Sequence, residues 1–138
     1  MTRDKWRENE DKGQMTKDKR NKELRERLLN FSVDILSFLN TLPYKKEYEV
    51  LRYQLSKSAT SIGANYEESQ NTTYKDFKHK VKIALREANE TKYWINIIER
   101  LELGDKEKIK LLKDEARQIS LILGSIASKV DRNKHENN

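Results

Sequence analysis

The chain contains no cysteine in 138 residues, a single proline and only four glycines. Without cysteine, neither a disulfide framework nor a thiolate metal site is available. So little proline and glycine, with few runs of strand-type residues, points to an all-α protein. No apolar run approaches the ~18 residues of a membrane span, and the N-terminus lacks the hydrophobic stretch of a secretory signal. A cytoplasmic protein with no membrane partner is therefore expected. Hydrophobic residues make up 35% of the chain and charged residues 38%. That balance would leave the chain unfolded if its apolar residues were scattered.

They are not scattered. Four segments carry apolar residues at alternating steps of three and four, the spacing that keeps side chains on one helix face. The first runs Leu24, Leu28, Phe31, Ile35, Phe38, Leu42, and the second Tyr44, Tyr48, Leu51, Leu55, Ser58, Ile62, Asn65, Ser69. The third is Phe77, Val81, Ala84, Ala88, Thr91, Ile95, Ile98, and the fourth Ile109, Leu112, Ala116, Ile119, Leu123, Ile126, Val130. Turns are expected near 42–44, 71–73 and 103–105. Pro43 suits the first position of the second helix, where its missing N–H costs nothing. Thr73 with Asp76 resembles a capping box, and Gly104-Asp105 reads as a helix end followed by an N-cap. Helices of roughly 25–29 residues, about 40 Å each at 1.5 Å per residue, with short connections, give an antiparallel up-down-up-down four-helix bundle. Its expected extent is residues 21–132. Residues 1–20, with Trp6 and Gly13 among dense charges, form an N-terminal extension, and 133–138 a polar tail.

The second helix is unusual. Ser58, Ala59, Ser61, Gly63 and Asn65 occupy a stretch where a bundle helix normally carries Leu or Ile, and Ile62 is its one large apolar residue. Such residues lower helix propensity, so close approach of a neighbouring helix is expected to offset them, at Ala59 and Gly63 above all. Ser58 and Asn65, at seam positions, then need hydrogen-bond partners, with Lys57, Glu87 and Glu90 within reach as candidates. On the third helix, Ile83, Trp94, Ile97 and Leu101, with Tyr93, widen the apolar stripe beyond what one bundle needs. That surplus marks a protein interface.

Catalytic and metal constellations are sparse. Asp76 and His79 lie one turn apart, as in half of a di-iron motif, but the second histidine, His135, falls in the tail. Glu87 and Glu90 have the spacing of an acid–base pair, although helix carboxylates in so charged a sequence usually pair with Lys or Arg. No glycine-rich phosphate loop or nucleophile elbow occurs. No enzymatic activity, metal or cofactor is expected.

The run Ser58-Ala59-Thr60-Ser61-Ile62-Gly63-Ala64-Asn65-Tyr66 with Glu68 carries a family resemblance. So do Asp76-Phe77, His79-Lys80, Ile83-Ala84-Leu85, Glu87-Ala88, Glu90-Thr91 and Tyr93-Trp94. The chain resembles, over roughly residues 20 to 132, the bacterial four helix bundle proteins. These include proteins encoded by intervening sequences in large-subunit ribosomal RNA genes, and the accessory variability determinants of diversity-generating retroelements are related to them. Lys57 stands where that family often has Arg, and Ala59 where it often has Gly. The resemblance implies a ring-like homopentamer with a basic surface, no enzyme activity, and binding of RNA or DNA or, among the retroelement relatives, of a reverse transcriptase.

The net charge is +6 and the isoelectric point about 9.4. In an up-down bundle the starts of helices one and three share an end with the finishes of helices two and four. Bases outnumber acids there. Lys75, Lys78 and Lys82, spaced by three and four, form the best single stripe, and Arg20 and Lys22 contribute from the first helix. Lys80 falls off the stripe. Beyond Tyr66, Tyr74 and Trp6 there is no aromatic platform for bases, so the expected binding is to backbone phosphates. The alternative is a scaffold for a protein partner, such as a reverse transcriptase.

Overall fold

A computed structural model describes residues 16–136, which form four helices and no strand. Helix α1 spans Lys17–Leu39, α2 Glu49–Ser69, α3 Tyr74–Arg100 and α4 Lys106–Glu136, with a 3-10 turn at Lys46–Tyr48 before α2. Trp6 and Gly13 lie outside the described residues. Consecutive helices pack as antiparallel neighbours and α4 returns to α1, while the diagonal pairs do not meet. The α2–α3 pair is the closest and α1–α4 the most open. This is the expected all-α bundle, in up-down-up-down order.

Local chemistry sets the helix ends. Thr16 caps α1 by accepting from the Lys19 N–H at 3.1 Å. Thr73 caps α3 by accepting from the Asp76 N–H at 3.3 Å. The Asp76 carboxylate does not complete a capping box; it accepts from the Thr72 hydroxyl. Asp105 caps α4 by accepting from the Lys108 N–H at 3.0 Å.

Two expected boundaries move. Pro43 does not open α2, because the chain stays extended at Lys45 and α2 begins only at Glu49. The cause is Arg52, whose guanidinium donates to the carbonyls of Leu39, Leu42 and Pro43. It thereby satisfies the orphan acceptors at the end of α1 and holds the linker open. The Tyr44 ring covers the same guanidinium at 4.4 Å, so Tyr44 is a lid at 84% exposure rather than a seam residue. At this same end of the bundle, α3 stops in a Schellman motif. The Leu103 N–H donates to Ile98 O and the Glu102 N–H to Glu99 O, and Glu102, not a glycine, takes the left-handed position at φ 55°. Gly104 serves a second left-handed turn (φ 74°) further on, where a Cβ would sit 2.8 Å from the Phe38 ring.

The core follows the predicted seams closely: the α1 series is buried throughout, as are Val81, Ala84, Ala88, Thr91, Ile95 and Ile98 on α3. Of the small residues on α2, Ser58 and Ala59 are buried. Thr91 donates to the Ser58 hydroxyl at 2.9 Å across α2–α3, and Ser58 donates on to Leu55 O. That pairing replaces the expected network with Lys57, Glu87 and Glu90. Ala59 O accepts from Ser32 of α1. A Cβ on Gly63 would lie 3.5 Å from Leu28 Cβ and 3.7 Å from its backbone, so α1 does run close beside Gly63. Asn65 and Ser61 turn outward and bond within their own helix, to Ser61 O and Lys57 O. The fully buried residue beside them is Tyr66, whose hydroxyl donates to Asn21 at 3.0 Å. Burial raises its pKa.

The two glycines should therefore respond in opposite ways. Gly63→Ala leaves ordinary van der Waals contact and should stabilise by up to about 1 kcal/mol through helix propensity. Gly63→Leu should overpack against Leu28 and cost about 1–3 kcal/mol. Gly104→Ala combines a left-handed strain with a clash and should destabilise by more than about 1 kcal/mol. Glu102→Gly should gain about 1 kcal/mol by relieving the left-handed cost. Urea unfolding of the four variants measures all of these.

Candidate nucleic-acid interface

The first turns of α1 and α3 and the last turns of α2 and α4 share one end of the bundle, and charged side chains converge there from four helices. Their roles differ once their neighbours are known. Lys75 is exposed in the first turn of α3 and makes no ion pair among the described residues. Lys78 and Lys82 lean toward α4, where their ammonium groups lie 3.1 and 3.0 Å from the same carboxylate oxygen, Oδ1 of Asp131. Hydrogen bonds from Lys82 and then Lys78 hold that carboxyl below its usual range. Lys78 is the more enclosed, with 20% of its side chain exposed against 45% for Lys82. Lys80 points the other way and pairs with Glu68 of α2 at 2.6 Å.

On α1, Arg20 and Lys22 are exposed and make no ion pair among the described residues. At 100° per residue they diverge by about 200°, so they flank opposite sides of the helix. Lys22 borders a shallow depression of about 410 Å³ with Asp18, Arg25, Glu26, Leu29 and Glu67. The mixed charge of that lining gives no continuous basic surface. Arg25 is committed to Glu67 by two bonds of 2.8 and 2.7 Å, which lower the Glu67 pKa. Arg27 is likewise committed to α4, donating to Glu115 at 2.9 and 2.6 Å and to Gln118 at 2.8 Å. The structure thus groups Lys75, Lys78 and Lys82 and separates Arg20 and Lys22 from one another.

In the sequence Asp131 is one of several acids at this end of the bundle, with nothing to mark it as the partner of Lys78 and Lys82. Its contacts span 49 positions, and local spacing carries no trace of them. Tyr66, counted above as a possible base platform, is buried in the core. Tyr74 remains exposed beside Phe77, with ring centroids 6.3 Å apart.

Exposed apolar side chains lie on all four helices, Val50 and Tyr53 on α2 and Leu111 and Leu121 on α4 among them, and on α3 and α1 they form edges. On α3, Ile83, Trp94 and Ile97 are half-buried, whereas Leu101 and Tyr93 are 51% and 60% exposed. The Trp94 indole N–H donates to Glu90 at 3.3 Å. The second edge, Leu29, Val33 and Leu36 on α1, is exposed. Its steps of four and three were readable in the sequence, hidden by the stronger series one residue away. Among the described residues no cluster of three or more His, Cys, Asp or Glu side chains is disposed to hold a metal. No described helix is long and apolar enough to cross a membrane.

Glu87 is half-buried, and burial together with Glu90 raises its pKa. For a carboxyl with a raised folded-state pKa, the charged form opposes folding. The resulting loss of stability is present at neutral pH and disappears as pH falls below the ordinary carboxylate range, about 4. Glu87→Gln should accordingly raise Tm at pH 7, and the gain should vanish near pH 3 in thermal unfolding followed by circular dichroism.

No curated protein matches the chain. Among solved structures, a protein of unknown function from the S23 ribosomal protein family of Bacteroides thetaiotaomicron is similar at 33% identity and a TM-score of 0.71. The alignment covers 78% of this chain and 97% of that one. Residues 20–125, the bulk of the bundle, match the 23S rRNA-intervening sequence proteins, and on that match the chain belongs to the 23S rRNA-intervening sequence protein family.

Proposed function

We propose that this protein is a non-enzymatic accessory protein that binds RNA or DNA through backbone phosphates, at the end of the bundle where α3 begins. The observation carrying the reading is the row Lys75, Lys78 and Lys82, brought to one flank of α3 on a chain of net charge +6. A polyanion released from its counterions by such a row gains affinity without base contacts. The family's description, which names a ribosomal RNA intervening sequence, is consistent with an RNA partner.

Self-assembly belongs to the same proposal. The exposed α1 edge Leu29, Val33, Leu36 and the α3 edge ending in Leu101 are two different apolar surfaces on one chain. Unlike patches that meet between copies make a head-to-tail contact, and a closing one builds a ring. The resemblance supplies the number five. A ring repeats the lysine row around its axis and multiplies the local field. The second reading, a scaffold for a protein such as a reverse transcriptase, is favoured by those same apolar edges if a foreign partner covers them.

Binding of a fluorescent single-stranded RNA and a DNA duplex, measured across salt concentrations, tests the first reading. Affinity should fall steeply with salt, and each lost phosphate contact should flatten the slope by about one unit. Lys75, Lys78 and Lys82 changed together to Glu should abolish binding while light scattering reports an unchanged assembly. Unaltered affinity in that variant would favour the scaffold reading. A monomer at micromolar concentration would remove the ring.

A further inference from the structure

Among the cross-helix ion pairs of the described residues, only the pairing of Lys78 and Lys82 with Asp131 puts two cations on one oxygen; Lys80–Glu68 and Lys113–Glu99 each bring a single ammonium to a carboxylate. Arg25–Glu67 and Arg27–Glu115 are two-pronged, with each guanidinium meeting both carboxylate oxygens. At Asp131 one oxygen takes two ammonium groups, at 3.1 and 3.0 Å. Two cations converging on one anionic oxygen is also how lysines grip a non-bridging phosphate oxygen, as point charges rather than as a fork. The arrangement is unbalanced: two positive charges face one negative charge, and Lys75 adds another a turn away with no ion pair among the described residues.

We infer that Asp131 is an internal stand-in for phosphate, occupying the Lys78–Lys82 site in the free protein and competing there with a nucleic-acid backbone. The inference rests on the proposed nucleic-acid function and specifies how its site is regulated. Three features support it. The Asp131 side chain is 45% exposed, and exposed ion pairs are weak and easily exchanged. Lys78, in contrast, has 20% of its side chain exposed, so packing of its stem confines the reach of its ammonium group to that flank of α3. A phosphate displacing Asp131 therefore inherits a positioned donor. The displaced carboxylate remains on α4 beside the incoming phosphate, where like-charge repulsion lowers affinity. Asp131 thus sets how strong a polyanion must be to engage the row. It lies on α4 beyond residues 20–125, the segment matched to the family.

The test uses the full chain, a fluorescent 20-nucleotide single-stranded RNA and four variants. Asp131→Asn keeps the shape and removes the charge. Glu68→Gln is the charge-matched control, because Glu68 neutralises Lys80 on the opposite flank of α3. Asp131→Asn should bind about two- to fivefold more tightly at low salt, on the scale of one exposed ion pair. Its salt slope should steepen by about one unit. Glu68→Gln should gain less, and adding Lys78→Gln and Lys82→Gln to Asp131→Asn should erase the gain. If Asp131→Asn binds no more tightly than the parent, or Glu68→Gln gains equally, the stand-in role is overturned. When the triple-lysine variant has still lost binding, the nucleic-acid reading survives that result. No binding by the parent or by Asp131→Asn at low salt overturns both.

Discussion

The close approach of α2 and α3 is the constraint from which the rest of the architecture follows. Two helices that lie this near must present small side chains to each other: Thr91 of α3 meets Ser58 of α2, and Ala84 and Ala88 are buried on the same face of α3. Small residues bury little apolar area, so the seam gains from backbone proximity and from dispersion at short range rather than from large side chains. The buried hydroxyls are tolerable only because they satisfy one another, Thr91 donating to Ser58 and Ser58 to a backbone carbonyl. An unpaired hydroxyl at that depth would cost about 1–3 kcal/mol. The bulk that the seam omits is supplied at its flanks, where Tyr66, Phe31, Leu55 and Ile95 fill the space between helices.

Closure on the other side is of a different kind. The α1–α4 pair is the most open, and Arg27 bridges it to Glu115 and Gln118. The arginine stem lies along apolar surface while its guanidinium reaches polar partners at the rim. Much of the charge in the chain is spent in this structural way, Arg52 on three carbonyls and Arg25 on Glu67 among it. Counting lysines and arginines at one end of the bundle therefore overstates what a ligand meets. What remains is narrower: among the described residues at that end Lys75 on α3 and Arg20 and Lys22 on α1 make no ion pair, and Lys78 and Lys82 share one carboxylate.

Part of the apolar surface left over lies on two edges, α1's Leu29, Val33 and Leu36 and the far end of α3 at Leu101, with more at Val50 and Tyr53 on α2 and at Leu111 and Leu121 on α4. Neither edge is needed to close the bundle, since the core seams are complete without them. Their separation on the molecule bears on assembly, because an interface built from two unlike patches propagates around an axis instead of ending at a dimer. The lysine row lies at the end of the bundle where α3 begins, whereas these edges run along its sides. The proposed assembly and the proposed phosphate binding would therefore draw on different side chains.

How much of this could be read from the residues in order depends on the range of the interaction. The four helices, the seam positions of α1, α3 and α4, and the caps at Thr73 and Asp105 follow from patterns within a turn or two, and a linear sequence carries those in full. Small residues at Ala59 and Gly63 likewise announced a close neighbour. The identity of each partner was beyond reach. That Ser58 meets Thr91, that Tyr66 rather than Asn65 turns inward, that Arg52 delays α2 past Pro43, and that Asp131 sits between Lys78 and Lys82 are all contacts between separate segments. Periodicity fixes which face a residue occupies only to within a fraction of a turn, and a rotation of that size decides whether a side chain points into a seam or beside it. Only the packed bundle resolves that rotation, because the close fit of backbone to backbone at α2–α3 admits a single set of facing residues.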